Sequence, residues 1–367
     1  MSNAGKHVWS VAMTDSVMKR DPLFYKKWAY DYGVVLKGVE AVWRNTQEQK
    51  YFDYIKTNLD MFIHADGVIW GYDLEEFNID YMNNGKQLLL LYTQTGDERY
   101  KKAANLLREQ LRRHPRTSAG GFWHKKIYPH QMWLDGLYMG APFYAEYAKM
   151  FGEPEAFADI ANQFILMNQY ARDKNTGLLY HGWDESREQR WANPETGCSP
   201  NFWGRAMGWY AMAIVDVLDH FPAQHPQRGA IIDILQNMVD ALLKVQDQAS
   251  GVWYQVLDQG GRIGNYLEAS ASCMFVYAFT KAVRKGYISR EYLTAAQKGY
   301  DGILKQFIEV NEEGLVNLKW VCMVAGLGNI PYRDGSFQYY ISEPVKLNDH
   351  KGVGAFILAS AEIEQLT

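Results

Sequence analysis

The sequence predicts an all-α fold, a closed barrel of six helical hairpins, on three observations. Apolar residues recur at three- and four-residue spacing in many separate stretches, the period of a helix with one buried face. Alternating apolar and polar runs are few and short, so no large sheet organises the chain. Short glycine-led segments recur at roughly 50 to 75 residues, the length of a helical hairpin with its loop. They are Gly67-Val-Ile-Trp-Gly-Tyr-Asp, Gly121-Phe-Trp-His, Gly177-Leu-Leu-Tyr-His-Gly-Trp-Asp, Gly251-Val-Trp-Tyr and, more weakly, Gly314-Leu-Val-Asn.

In chain order the helical stretches fall at 24–45, 50–63, 79–95, 98–113, 134–151, 155–171, 203–220, 227–246, 267–285, 291–307 and 347–365. Within each pair the first member is richer in apolar and small residues, as in Gly204–Val215 and Ala269–Phe279. The second carries more charge, as in Asp97–Arg113. First members, starting at 24, 79, 134, 203, 267 and 347, are therefore expected inside and second members outside. That leaves the outer ring one helix short, and residues 10–20 are expected to supply it. Pro142 predicts a kink or a late start in the third inner helix, because proline cannot donate the helical hydrogen bond.

Composition agrees with one domain spanning 1–367, since no Pro/Ser/Gly-rich linker or charge block divides the 367 residues. A net charge of −4 without a basic stripe argues against nucleic acid and membrane partners. No run approaches the ~18 apolar residues of a membrane span. Cys198, Cys273 and Cys322 are spaced neither as pairs nor as metal ligands, which points to a reducing, cytoplasmic setting. A monomer without cofactor or metal is expected; His124 and His130 lack a third ligand at zinc-site spacing.

The most informative stretch is 130–144, His-Gln-Met-Trp-Leu-Asp-Gly-Leu-Tyr-Met-Gly-Ala-Pro-Phe-Tyr. It sets Asp135 beside Trp133, Leu134 and Tyr138, where an ionised carboxylate loses hydration. Its pKa is expected to rise toward the range of a working acid. The plainer alternative is a helix cap.

Four segments and the C-terminal one carry a family resemblance: His130-Gln-Met-Trp-Leu-Asp-Gly-Leu-Tyr-Met, Asn78-Ile-Asp-Tyr, Leu179-Tyr-His-Gly-Trp-Asp, Phe202-Trp-Gly-Arg-Ala-Met-Gly-Trp and Asn348-Asp-His-Lys-Gly-Val-Gly-Ala-Phe. In collinear order from about Tyr30 to about Ala359, the chain resembles glycoside hydrolase family 105, the unsaturated rhamnogalacturonyl hydrolases. The resemblance implies an (α/α)6 barrel that removes a terminal 4,5-unsaturated galacturonic acid from oligosaccharides left by a pectin lyase. It implies hydration of the sugar's vinyl ether, after which the hemiketal opens and expels the aglycone. It places the general acid/base on Asp135, a second carboxylate on Asp80, and sugar contacts on Tyr32, His124, His181, Trp203, Arg205 and Trp209.

Those placements make physical sense. One carboxylate of raised pKa can protonate an alkene carbon and then activate water. Asp80 nearby would raise that pKa by like-charge repulsion and hold a hydroxyl or the water, its plainer role being a helix N-terminus. The Arg205 fork suits a uronate. Trp203 and Trp209, six residues apart, share a wall only if Trp203 precedes its helix, and sugar rings stack on indole faces. His124 and His181 sit in the recurrent loops and are expected at one mouth. Three alternatives stand beside this reading: an unsaturated glucuronyl hydrolase of family 88 acting on glycosaminoglycan fragments, an inverting glycosidase with carboxyls roughly 6.5–9.5 Å apart, and a helical scaffold that binds sugar without turnover.

Overall fold

The computed structural model describes residues 8–24 and 26–366. Its helices in chain order are α1 (Trp9–Arg20), α2 (Tyr30–Thr46), α3 (Gln49–Asp60), α4 (Gly85–Thr95), α5 (Glu98–Arg113), α6 (Leu134–Phe151), α7 (Ala156–Ala171), α8 (Gly204–Leu218), α9 (Arg228–Lys244), α10 (Ala269–Arg284), α11 (Leu293–Phe307), α12 (Phe337–Ser342) and α13 (His350–Glu364). Three two-stranded antiparallel ribbons accompany them: β1 (Gln131–Trp133) with β2 (Gly182–Asp184), β3 (Ile308–Val310) with β4 (Val316–Leu318), and β5 (Val321–Cys322) with β6 (Val345–Lys346).

The even helices from α2 to α10, together with α13, form the inner ring. Each packs on the next, and α13 closes the ring against α2. Burial follows from composition. Every residue of α8 is buried, whereas α5 buries one stripe and turns charge outward. Small residues set the spacing between inner helices. A Cβ on Gly354 of α13 would lie 2.6 Å from the Val34 carbonyl of α2, so this contact requires glycine.

Each outer helix packs on its inner partner, and α1 fills the sixth position against α13. Its Ser10 backbone N–H donates to Glu364 at 3.0 Å, tying the two ends of the described chain together. The expected hairpin order therefore holds, including the role of residues 10–20. Two expectations need correction. The first inner helix begins at Tyr30 rather than 24, and the stretch from 79 opens as a 3-10 turn, Ile79–Asn84, before α4. Helix α6 runs from Leu134 through Pro142 without starting late, buried along most of its length.

The glycine-led segments are tight antiparallel turns that follow the outer helices. Bridges join Ile63 to Ile69, Arg116 to Phe122 and Arg172 to Leu179, and the fifth turn is the β3–β4 ribbon. Gly177 and Gly251 take positive φ at the turns, a conformation that costs glycine little. The second arm of each turn leads to the start of the next inner helix, delivering side chains to one mouth of the barrel.

Candidate active site

At that mouth, Asp135 is the second residue of α6, with a side chain only 14% exposed. It is not a cap: the N-cap position is Trp133, and no side chain caps this end. The second arm of the Gly177 turn places His181, fully buried, with Nε2 3.2 Å from Asp135 Oδ2. Neither atom makes an aligned hydrogen bond among the described residues, so both keep hydrogen-bonding capacity in a dry setting. The other imidazole nitrogen, Nδ1, meets the Tyr340 hydroxyl of α12 at 2.8 Å. Tyr340 thereby fixes the ring's orientation toward Asp135.

The second carboxylate, Asp80, sits in the 3-10 turn ahead of α4, positioned by Asn78, whose side chain accepts from the Asp80 N–H. Its Oδ2 pairs with Lys125 Nζ at 2.6 Å and its Oδ1 faces His124 Nε2 at 3.8 Å. His124 stacks on Trp133 at 4.3 Å, and Trp133 on Tyr128 at 4.8 Å, forming one aromatic column.

Aromatic rings line the rest. Trp203 is the N-cap residue of α8, ahead of the helix, so it faces His181 at 4.7 Å and Tyr340 at 5.8 Å. Trp209, inside α8, stacks on Tyr138 at 4.9 Å and meets Tyr30 edge-on. The two indoles therefore serve different walls. Each is only 1% exposed, so they shape the pocket rather than offer the free stacking faces expected of them. Tyr32 stacks on Phe24 and lies edge-on to His350.

Arg205 departs most from expectation. Its guanidinium lies over Trp203, with Nη1 donating to the Cys322 carbonyl and to Ser270, and Nη2 to the Met323 carbonyl. The fork foreseen for a uronate is engaged by the backbone of β5 and the residue after it. Only Nε stays without a partner among the described residues. Its positive charge stands close to the buried Glu268, which acts on it through the low-dielectric interior.

Comparison with known proteins agrees with this fold. The model of Glycosyl Hydrolase Family 88 matches residues 9–367. A solved family 105 glycoside hydrolase from C. acetobutylicum ATCC 824 superposes with a TM-score of 0.96 at 53% identity, covering 98% of this chain and 100% of that one. The chain belongs to the family 88/105 glycoside hydrolases. An Agrobacterium fabrum protein is 42% identical over 230 residues, 61% of this chain and 97% of its own. The unsaturated rhamnogalacturonyl hydrolase YesR of Bacillus subtilis is 28% identical over 312 residues, covering 83% of each.

The electrostatics of this glycoside hydrolase correct one expectation. Burial pushes the Asp135 carboxyl up, but His181 and then His124 pull it down further, and its pKa lies below the ordinary carboxylate value. The apolar neighbours in sequence foretold the burial and not the imidazoles. Burial lowers His124 to about 4, so it is neutral near pH 7. Burial, and then the Asp80 charge, drive the Tyr30 phenol well above its usual range, and Arg205 and Asp135 also act on it, which places Tyr30 among the charged groups of the hydrolase.

Tyr30, Lys125, Trp133 and Tyr340 were not among the residues singled out for the site. Lys125 follows His124 and Tyr30 stands two before Tyr32, so neighbourhood to a motif could have found both. Tyr340 reaches His181 across a sequence separation of 159 and had no local signal.

Proposed function

We propose that this hydrolase releases a terminal 4,5-unsaturated galacturonic acid from rhamnogalacturonan-derived oligosaccharides, with Asp135 as general acid/base. The observation that carries the reading is the Asp135–His181 contact, backed by Tyr340, at the mouth of a family 88/105 barrel. The YesR likeness supports the galacturonyl substrate over the glucuronyl one. Three free, buried thiols accord with a cytoplasmic setting.

A carboxylate held low in the ligand-free enzyme must be protonated to give a proton to carbon. A uronate entering this dry pocket brings a second negative charge, which raises the Asp135 pKa by like-charge repulsion. His181, 3.2 Å away, is placed to pass a proton to the carboxylate. Asp135 then protonates C4, and water adds at C5 while losing its proton to the Asp135 carboxylate. The hemiketal so formed opens, and the aglycone departs as its alcohol. Asp80, clamped by Lys125, is suited to hold a sugar hydroxyl or the water. Tyr32, His124, Trp203, Trp209 and the Arg205 charge complete the sugar-binding walls.

The test is turnover of lyase-generated disaccharides, followed by loss of the unsaturated uronate's absorbance. Galacturonyl-rhamnose is expected to be cleaved faster than glycosaminoglycan disaccharides. The reverse order would replace the proposed substrate with the glucuronyl one.

A further inference from the structure

The ribbon that carries His181 has a second face. In an extended segment successive side chains point to opposite sides; His181 is buried toward the barrel, and Tyr180 before it lines a separate cleft of about 900 Å³. This cleft lies between the end of α7, the turn after it, and the loop from 187 to 200 that follows β2. None of the residues assigned to the active site lines it. The two sites nevertheless share a wall, because the Ser199 hydroxyl at the cleft accepts from the Gly182 N–H next to His181.

Three cations gather at this cleft. Elsewhere several arginines are ion-paired, as Arg116 with Asp159 and Arg284 with Glu362, and others, such as Arg20, Arg228 and Arg333, donate to backbone carbonyls. At the cleft, Arg172, Lys174 and Arg187 have no ion-pair partner among the described residues, and Arg172 Nε is buried without a hydrogen bond. Of the two acids lining it, Asp173 is committed to the turn, accepting from both the N–H and the hydroxyl of Thr176 at 2.7 Å. Aromatic rings are held rigidly at the same place: Tyr180 is stacked on Phe202 at 4.4 Å and Tyr170 on Trp183 at 4.2 Å. Unpaired cations beside fixed aromatic rings recognise carboxylates carried on pyranose rings.

We infer that this cleft is an accessory binding site for a uronate-bearing oligosaccharide, holding a more distant part of an acidic chain while its unsaturated end occupies the Asp135 pocket. The inference rests on the substrate reading above. It makes chain length a determinant of affinity, through contacts that a disaccharide cannot reach.

The experiment compares wild type with the surface double variant Lys174→Gln/Arg187→Gln, and separately with Arg172→Gln. One arm measures kcat/KM on an unsaturated disaccharide and on an unsaturated hexasaccharide with alternating uronates. The expected result is a loss of about tenfold on the hexasaccharide, carried in KM, with the disaccharide changed by less than about twofold. The second arm titrates saturated tri-galacturonate calorimetrically into Asp135→Asn protein with and without the cleft substitutions, and a salt-sensitive loss of binding is expected. Equal kinetics on both lengths, together with unchanged tri-galacturonate binding, would overturn the accessory site. Absence of disaccharide turnover in wild type would instead overturn the substrate reading, and the calorimetric arm would still decide the cleft.

Discussion

The two ends of this barrel both bury charge, and they treat it differently. At the far end, near the C-termini of the inner helices, Lys281 meets Asp216 at 2.6 Å and Asp219 at 2.7 Å, Arg284 forks onto Glu362 at 2.6 and 2.8 Å, and Glu40 takes both Lys37 and Arg44. At the mouth, Asp135 Oδ2, His181 Nε2, His124 Nδ1 and Arg205 Nε are buried with no hydrogen bond among the described residues. Ion pairs hold the helices together at the far end, even though Asp216 Oδ2 and Asp219 Oδ1 also lack a hydrogen bond there; at the mouth the atoms without one belong to the groups proposed to meet the substrate. Between the two ends the interior favours neutrality, with burial drawing Lys86 down to about 7 and pushing Glu146 up to about 7.

The contrast is sharpest for Asp135. Asp135→Asn is expected to keep the fold and the binding of substrate while lowering kcat by roughly 10² or more, because the amide cannot exchange the proton. Kinetics on an unsaturated disaccharide, with a thermal melt as control, checks it; activity within about threefold of wild type would remove Asp135 from the chemistry.

At the far end the opposite pattern is expected. Lys281→Met leaves the buried Asp216 without its cation, while Asp219 keeps Lys285 at 3.0 Å, and removing one partner of a buried pair costs about 3–5 kcal/mol. Denaturant unfolding should show that loss, while kcat of the folded variant stays near wild type. A variant that is stable and slow would erase the distinction between the two ends.

Much of this division was legible in the sequence, and what was missed has a common cause. Helical periodicity located the inner and outer helices because each buries one face along its own length. The Asp135 segment advertised its burial through Trp133, Leu134 and Tyr138. The pKa direction, the engaged Arg205 fork and the Tyr340 brace depend instead on partners delivered by distant segments. Cys322 stands 117 positions from Arg205, and short elements such as α12 and the β5–β6 ribbon are too brief to leave a period. Local composition reports desolvation, and only the fold reports which charge or carbonyl arrives to offset it.

Tyr340→Phe tests that hidden brace. It removes the hydroxyl from His181 Nδ1 and leaves the ring packing intact, so kcat is expected to fall about tenfold with KM little changed. A change in KM alone would make Tyr340 part of the sugar wall rather than a positioning residue.

The smallest effect concerns His350 at the start of α13. Burial pulls its pKa down, but the hydrogen bonds it donates to Asp21 and Asp31 outweigh this and raise it to about 9 from 6.5. A folded-state pKa above the unfolded value stabilises fully below the unfolded value, and that contribution is lost as pH rises through about 9. His350→Gln should therefore lower Tm modestly at pH 6, with the difference from wild type vanishing above pH 9. An equal Tm difference at both pH values would show that packing against Tyr32, and not charge, is what His350 supplies.

Asp135 is proposed to hydrate a double bond instead of cutting at the anomeric carbon, and isotope placement distinguishes the two routes. Turnover in heavy-oxygen water is expected to put the label at C5, turnover in heavy water to put a deuteron at C4, and a saturated galacturonide of otherwise identical structure is expected to bind without cleavage. Cleavage of the saturated analogue, with the oxygen label at C1, would contradict hydration and point to direct glycoside hydrolysis, and an inverted product anomer would then favour the inverting alternative.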